Sequence, residues 1–152
     1  MSKTSLSTAL GNGSTSEREI MIVDDDRITV MIVRRILDIS GVQANVTTFE
    51  NGRHALDYLS RIRRRCLVLL DINMPVMNGW QFLDAITEHG NVDSVDVVIF
   101  TSSVDAADHE RAGKYSIVQH YIEKPFTSST IAEMKRHHRL TEFFDHTQAR
   151  MY

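Results

Sequence analysis

Four strongly apolar runs in this chain each lead into a residue that can carry charge or donate a proton. "EIMIV" runs into Asp24 and Asp25, "CLVLL" into Asp71, "VDVVIF" into Thr101, and "VQHYI" is followed by Lys124. If these runs are strands of one sheet, three carboxylates, a hydroxyl and an ammonium meet at one rim. Carboxylates brought that close repel one another and raise each other's pKa values unless a cation neutralises them. Hard oxygen donors of this kind suit Mg²⁺, which takes one or two carboxylates, retained waters and a phosphate oxygen. Lys124 and Thr101 would then serve the remaining oxygens of a phosphoryl group. The residue types point to a metal-bound phosphoryl group held at a strand edge.

The elements that would position this set follow from periodicity. With "VQANVTTF", the four runs make five candidate strands, and segments of helical period separate them, the pattern of a parallel sheet covered by helices. Ile28, Met31, Ile32, Ile36 and Ile39 mark the first helical face, stopped by Ser40 and Gly41. Ala55, Leu59 and Ile62 mark a second. Phe82, Leu83 and Ile86 mark a third, after the turn signal at Asn78 and Gly79. A short fourth helix is expected over 106–113, and a fifth begins at Thr127 or at the capping box "TIAE" from Thr130. In such an open sheet, ligands bind beyond the carboxyl ends of the strands.

Composition bounds the alternatives. The 152 residues fit one domain that needs no staples. The net charge of −3 gives no global argument for nucleic acid or anionic lipid. A single cysteine, Cys66, excludes an internal disulfide framework and fits a reducing compartment. No apolar run approaches the ~18 residues of a membrane span, and no signal-peptide pattern opens the chain, so the cytoplasm is expected. Residues 1–16, rich in Ser, Thr and Gly, read as a flexible segment, residues 17–139 as the folded domain, and 140–152 as a tail or an extension of the last helix.

Four motifs taken together, "IVDDD" at 22–26, "LLDINMPVMNGW" at 69–80, "FTSS" at 100–103 and "YIEKPF" at 121–126, resemble the receiver domain of bacterial two-component response regulators. The likeness covers about Glu19 to Met134 in the right order. It implies an α/β fold of the flavodoxin-like kind, a doubly wound five-stranded parallel sheet of order 2-1-3-4-5 with five helices. It also implies that Asp71 accepts a phosphoryl group from a sensor histidine kinase, a histidine phosphotransfer protein or a small phosphodonor. Asp24 and Asp25 would hold Mg²⁺ with Asp71, the backbone carbonyl of Asn73 completing the protein ligands, and Lys124 and Thr101 would contact the phosphoryl oxygens. Thr101 and Tyr121 would form a switch acting on the face of helix 4, strand 5 and helix 5. The same resemblance makes Lys124–Pro125 a candidate cis peptide, which the sequence itself does not decide.

The residues after Phe126 suffice for a last helix and a tail but not for an output domain, so a stand-alone, chemotaxis-regulator-like receiver acting on a downstream protein partner is expected. It would act by binding, without direct DNA or membrane contact, or as a relay intermediate passing the phosphoryl group onward. The stretch from Leu140 could extend helix 5, fold back on the domain or support a homodimer. An Mg²⁺-dependent aspartyl phosphatase would commonly carry a second aspartate where Asn73 stands, and an acidic-cluster nuclease would not need Thr101 and Lys124. Other features read as structural. Asn78 in place of the family's usual aspartate can cap a helix, and Asp26 reads as a solvated or capping carboxylate. The basic runs "RIRRR" at 61–65 and "KRHHR" at 135–139 read as solvated helix ends, and Cys66 as an inert buried thiol.

Overall fold

A computed structural model describes residues 17–90 and 92–144. Five parallel strands form one sheet in the order β2-β1-β3-β4-β5. They are β1 (Arg18–Val23), β2 (Asn45–Phe49), β3 (Arg65–Leu70), β4 (Val95–Thr101) and β5 (Val118–Glu123). The helices are α1 (Arg27–Ile39), α2 (Gly52–Leu59), α3 (Gly79–His89), α4 (Ala106–Ala112), α5 (Ser128–Lys135) and a short α6 (Thr141–Phe144), with a 3₁₀ turn at Val92–Ser94. The fold class and strand order are those expected, with one helix more.

The inner strands are mostly apolar because both faces of the sheet are covered, the charged exceptions standing at or near their starts, Arg18, Glu19, Arg65 and Asp96. Alternate side chains of β1 serve opposite cores. Met21 and Val23 pack with Phe82, Leu83 and Ile86 of α3, while Ile20 and Ile22 pack with Val33 and Leu37 of α1 and with Met134. Leu140, Phe143 and Phe144 are buried in the second core. Of the three alternatives for that stretch, residues 140–144 fold back on the domain. The residues from 145 onward and those of 1–16 lie outside the described part.

Four expectations are corrected. The first helix does not bury the face carried by Ile28, Met31, Ile32 and Ile39; all four are exposed, Ile39 at 70%. Val33 and Leu37 are buried instead, each worth ~1.5–3 kcal/mol of transfer free energy. β2 starts at Asn45 rather than Val42, and α2 ends at Leu59, so Ile62 lies beyond it. The basic runs are not simple solvated helix ends. Arg65 opens β3 and reaches the fully buried Asp96 at 2.7 Å, which Arg139 also reaches at 2.7 Å.

Local signals set the helix starts that matter for the rim. Asp26 caps α1, its carboxylate accepting from the Ile28 N–H and the Thr29 hydroxyl, which holds its carboxyl below the usual range. Asn78 caps α3 reciprocally with Gln81. α5 starts from Thr127, whose N–H donates to the Thr130 hydroxyl. Cys66 is fully buried in β3, and burial pushes its thiol far up.

Candidate functional site

The carboxyl end of the sheet gathers the strand-end residues. Asp24 follows β1 and Asp71 follows β3, and both are buried, while Asp25 is exposed. One carboxylate oxygen from each of the three lies within 4.8 Å of the others. Parallel pairing explains the convergence. Val23 stands beside Leu70, so the residues that follow them leave the sheet side by side. The Asp71 N–H donates to the Val23 carbonyl at 3.0 Å, and the Asp24 N–H to the Phe49 carbonyl at 3.0 Å.

Lys124 comes from the end of β5. Its ammonium lies 2.8 Å from Asp24 Oδ2 and 3.5 Å from Asp71 Oδ2. The peptide bond from Lys124 to Pro125 is cis, and the Lys124 N–H donates to the Thr101 carbonyl at 2.9 Å. Thr101 ends β4 and is fully buried, its hydroxyl accepting a long 3.4 Å bond from the Ser103 N–H. Asn73 is exposed, two residues past Asp71 on the same loop. Tyr121 is half-buried on β5. Its hydroxyl donates to the Ser103 carbonyl at 3.2 Å and its ring lies 3.8 Å, centroid to centroid, from that of His109 on α4. Ser103 in turn donates to Asp108 at 2.6 Å.

The electrostatics are unbalanced. Burial pushes the Asp24 carboxyl up, and the neighbouring Asp71 adds to that, against the opposing pull of Lys124 and the Asp26 N–H. Burial works against the charge on Lys124, but Asp24 and Asp71 outweigh it and hold the ammonium above its ordinary range. One ammonium faces three carboxylates. A hard divalent cation on the Asp25 side would complete the neutralisation, and the oxygen-only donor set suits one.

The loop after β3 is shaped tightly against Asp71. Val76 sits at φ 68° with the Met77 N–H donating to the Pro75 carbonyl at 2.7 Å, a γ-turn of the strained hand. The Gly79 N–H donates to the Ile72 carbonyl at 2.8 Å. A Cβ on Gly79 would stand 2.6 Å from the Asp71 carbonyl oxygen, so only glycine fits there. Sequence reading took this glycine as a turn signal and missed the close approach, which depends on a contact across the loop.

At the opposite end of the sheet is a second charged cluster that sequence reading did not identify. Glu19, fully buried at the start of β1, accepts from Asn45, Thr47 and Tyr58 and lies 3.6 Å from Arg64. Asp96 accepts from Arg65, Arg139 and Gln119. Glu142 of α6 joins the cluster through Arg18 and Arg65. No described helix is long and apolar enough to cross a membrane.

Comparison with known proteins places these features in a family. The profile of the response regulator receiver domain matches residues 20–136. The Arabidopsis thaliana two-component response regulator ARR17 is 32% identical over 145 residues, covering 84% of this chain and 93% of that protein. Among solved structures, a CheY-like response regulator receiver domain protein from Methanospirillum hungatei JF-1 is 30% identical with a TM-score of 0.64, covering 85% and 95% of the two chains. The phosphorylated cyanobacterial phytochrome response regulator RcpA is 25% identical with a TM-score of 0.68, covering 87% and 96%.

Proposed function

The chain belongs to the response regulator receiver domain family of two-component systems, and from that membership we propose that Asp71 is its phosphoacceptor. The observation that carries the reading is the convergence of the Asp24, Asp25 and Asp71 carboxylates within 4.8 Å, with Lys124 reaching both Asp24 and Asp71. Asp71 Oδ1 accepts the Ile72 N–H at 2.8 Å. That bond fixes the carboxylate and leaves Oδ2, on the Lys124 side, as the attacking oxygen. Oδ2 forms the new bond to phosphorus while the bond from phosphorus to the donor's nitrogen breaks, and the departing nitrogen takes its proton from solvent.

Asp24, Asp25, Asp71 and the carbonyl of Asn73 would hold Mg²⁺, which, when bound, neutralises the charge on the transferring oxygens. Lys124 supplies the ammonium for one phosphoryl oxygen and Thr101 the hydroxyl for another. No general base is needed, because phosphoryl transfer is catalysed mainly by positioning and charge neutralisation. The domain is a signalling phosphoacceptor that would promote its own loading and unloading.

Movement of Thr101 toward the phosphoryl group would release Tyr121 from Ser103 and His109, biasing the face of α4, β5 and α5 between two packings. The donor would be a sensor histidine kinase or a histidine phosphotransfer protein. Exposed apolar residues near the acidic edge, Ile28 in the first turn of α1 and Val76 and Val104 on the loops after β3 and β4, support docking of such a protein there. The receiver unit is taken as residues 17–144, since the core continues to Phe144, and the reduced, buried Cys66 supports a cytoplasmic location.

The test is intact-protein mass after incubation with phosphoramidate or acetyl phosphate, with and without Mg²⁺. A Mg²⁺-dependent phosphoryl adduct, absent in Asp71→Asn, is expected. Full labelling of the variant would overturn the assignment.

A further inference from the structure

α4 is gripped from two sides, and only one grip belongs to the switch just described. His109 faces β5 and stacks on Tyr121. Arg111, two residues on and therefore on a different side of the helix, places its guanidinium carbon 4.5 Å from the ring centroid of Trp80. Tyr115, just past the helix, stacks on the same ring at 6.0 Å and 19°. Its hydroxyl donates to Asp84 on α3 at 2.6 Å. Trp80 is thus held by α4 and its following turn, and only 7% of it is exposed.

The other end of this contact is the nucleophile's own backbone. Trp80 follows Gly79, which is bonded to the Ile72 carbonyl and leaves no room for a Cβ against the Asp71 carbonyl. The Ile72 N–H in turn holds Asp71 Oδ1. A displacement of α4 must either break the contact of Arg111 and Tyr115 with Trp80 or drag the first turn of α3, because close-packed contacts of this kind do not stretch.

We propose that Trp80 is a positioning residue that couples α4 to the backbone of Asp71 through the start of α3, alongside the linkage through Thr101 and Tyr121. The proposal rests on the phosphoacceptor reading of Asp71 for its consequence, but the linkage itself exists without phosphorylation. It makes the coupling reciprocal: whatever captures α4 biases the geometry of Asp71 as strongly as the phosphoryl group biases α4. It also makes Trp80, the chain's single tryptophan, a built-in reporter of the position of α4.

Two measurements on the full chain test it. The first is amide hydrogen exchange of the unphosphorylated protein. Arg111→Met, which keeps an apolar stem but removes the cation, should speed exchange at the Ile72 and Gly79 amides about fivefold, the size expected for a lost cation–π contact, and leave β1 unchanged. Arg111→Lys should restore most of the protection. The second is Trp80 emission, recorded on the same phosphoramidate-treated samples whose mass is measured. Emission should change with adduct in the wild type, and Arg111→Met should form the adduct with that change abolished. Unaltered exchange at Ile72 and Gly79 in Arg111→Met, or an adduct without any change in Trp80 emission, overturns the linkage. Altered exchange with no adduct in any sample supports the linkage and sinks the phosphoacceptor reading instead.

Discussion

The two ends of this sheet are built from the same strands and solve opposite problems. β1 begins near Glu19 and leads into Asp24, β3 begins at Arg65 and leads into Asp71, and β4 carries Asp96 near its start and Thr101 at its end. At the amino end each buried carboxylate is matched. Glu19 has three neutral donors and Arg64, and Asp96 has Arg65, Arg139 and Gln119. At the carboxyl end three carboxylates cluster, and Lys124 reaches only Asp24 and Asp71. Buried acids matched within the chain help fix a fold, whereas acids left short of positive charge can take up a cation. The contrast separates acids matched within the fold from acids left short of positive charge, without reference to any other protein.

The comparison would break most visibly under substitution of one acid at each end. Asp96→Ala strands two guanidinium groups that now share a buried partner, and a loss of about 3–5 kcal/mol of unfolding free energy is expected in denaturant titration. Asp25→Asn, on the exposed side of the other cluster, should change the unfolding free energy by less than about 0.5 kcal/mol. Equal losses would erase the distinction. Next in size, Mg²⁺ at a hundred times its dissociation constant should raise the unfolding free energy by about 2.7 kcal/mol. The increment should survive in Asp96→Ala, since the two ends share no partner, and shrink in Asp25→Asn.

Smaller effects sharpen the contrast. Among the described residues the one non-glycine at positive φ is Val76, at the carboxyl end, so Val76→Gly should stabilise the protein by about 1 kcal/mol, read as a higher melting temperature. At the amino end, burial first and then the hydrogen bond to Glu19 push the Tyr58 phenol up to about 12 from 10.0. The native state therefore holds that proton more tightly than the unfolded chain. Its stabilisation is complete below pH 10, drains away as pH rises toward about 12, and should be missing from the alkaline stability profile of Tyr58→Phe.

What the sequence made legible follows the same division. The rim residues follow apolar runs, so Asp24, Asp71, Thr101 and Lys124 could be placed together from strand periodicity alone. The amino-end pairs join residues far apart in the chain, such as Asp96 with Arg139, and no local period announces them. The inner face of α1 was misread because the helix carries two apolar stripes. The signal that separates them is charge. Arg27, Arg34, Arg35 and Asp38 lie together on one side of the helical wheel, and the side opposite holds Val33 and Ile36. The fold-back of α6 was left open because four residues are too few to show a period, and its place is set by Phe143, Phe144 and Glu142 through contacts with the distant β1 and β3.

The seclusion of Cys66 has a practical side. It is the chain's one thiol, sits in the middle strand with no exposed surface, and resists ionisation. Alkylating dyes and spin labels react with thiolates, so they will pass it by in the folded protein. A cysteine introduced on the outer side of α4 would be the sole attachment point, and a label there, read against Trp80 as energy donor, makes a two-colour ruler at the cost of one substitution, with the native thiol left in place.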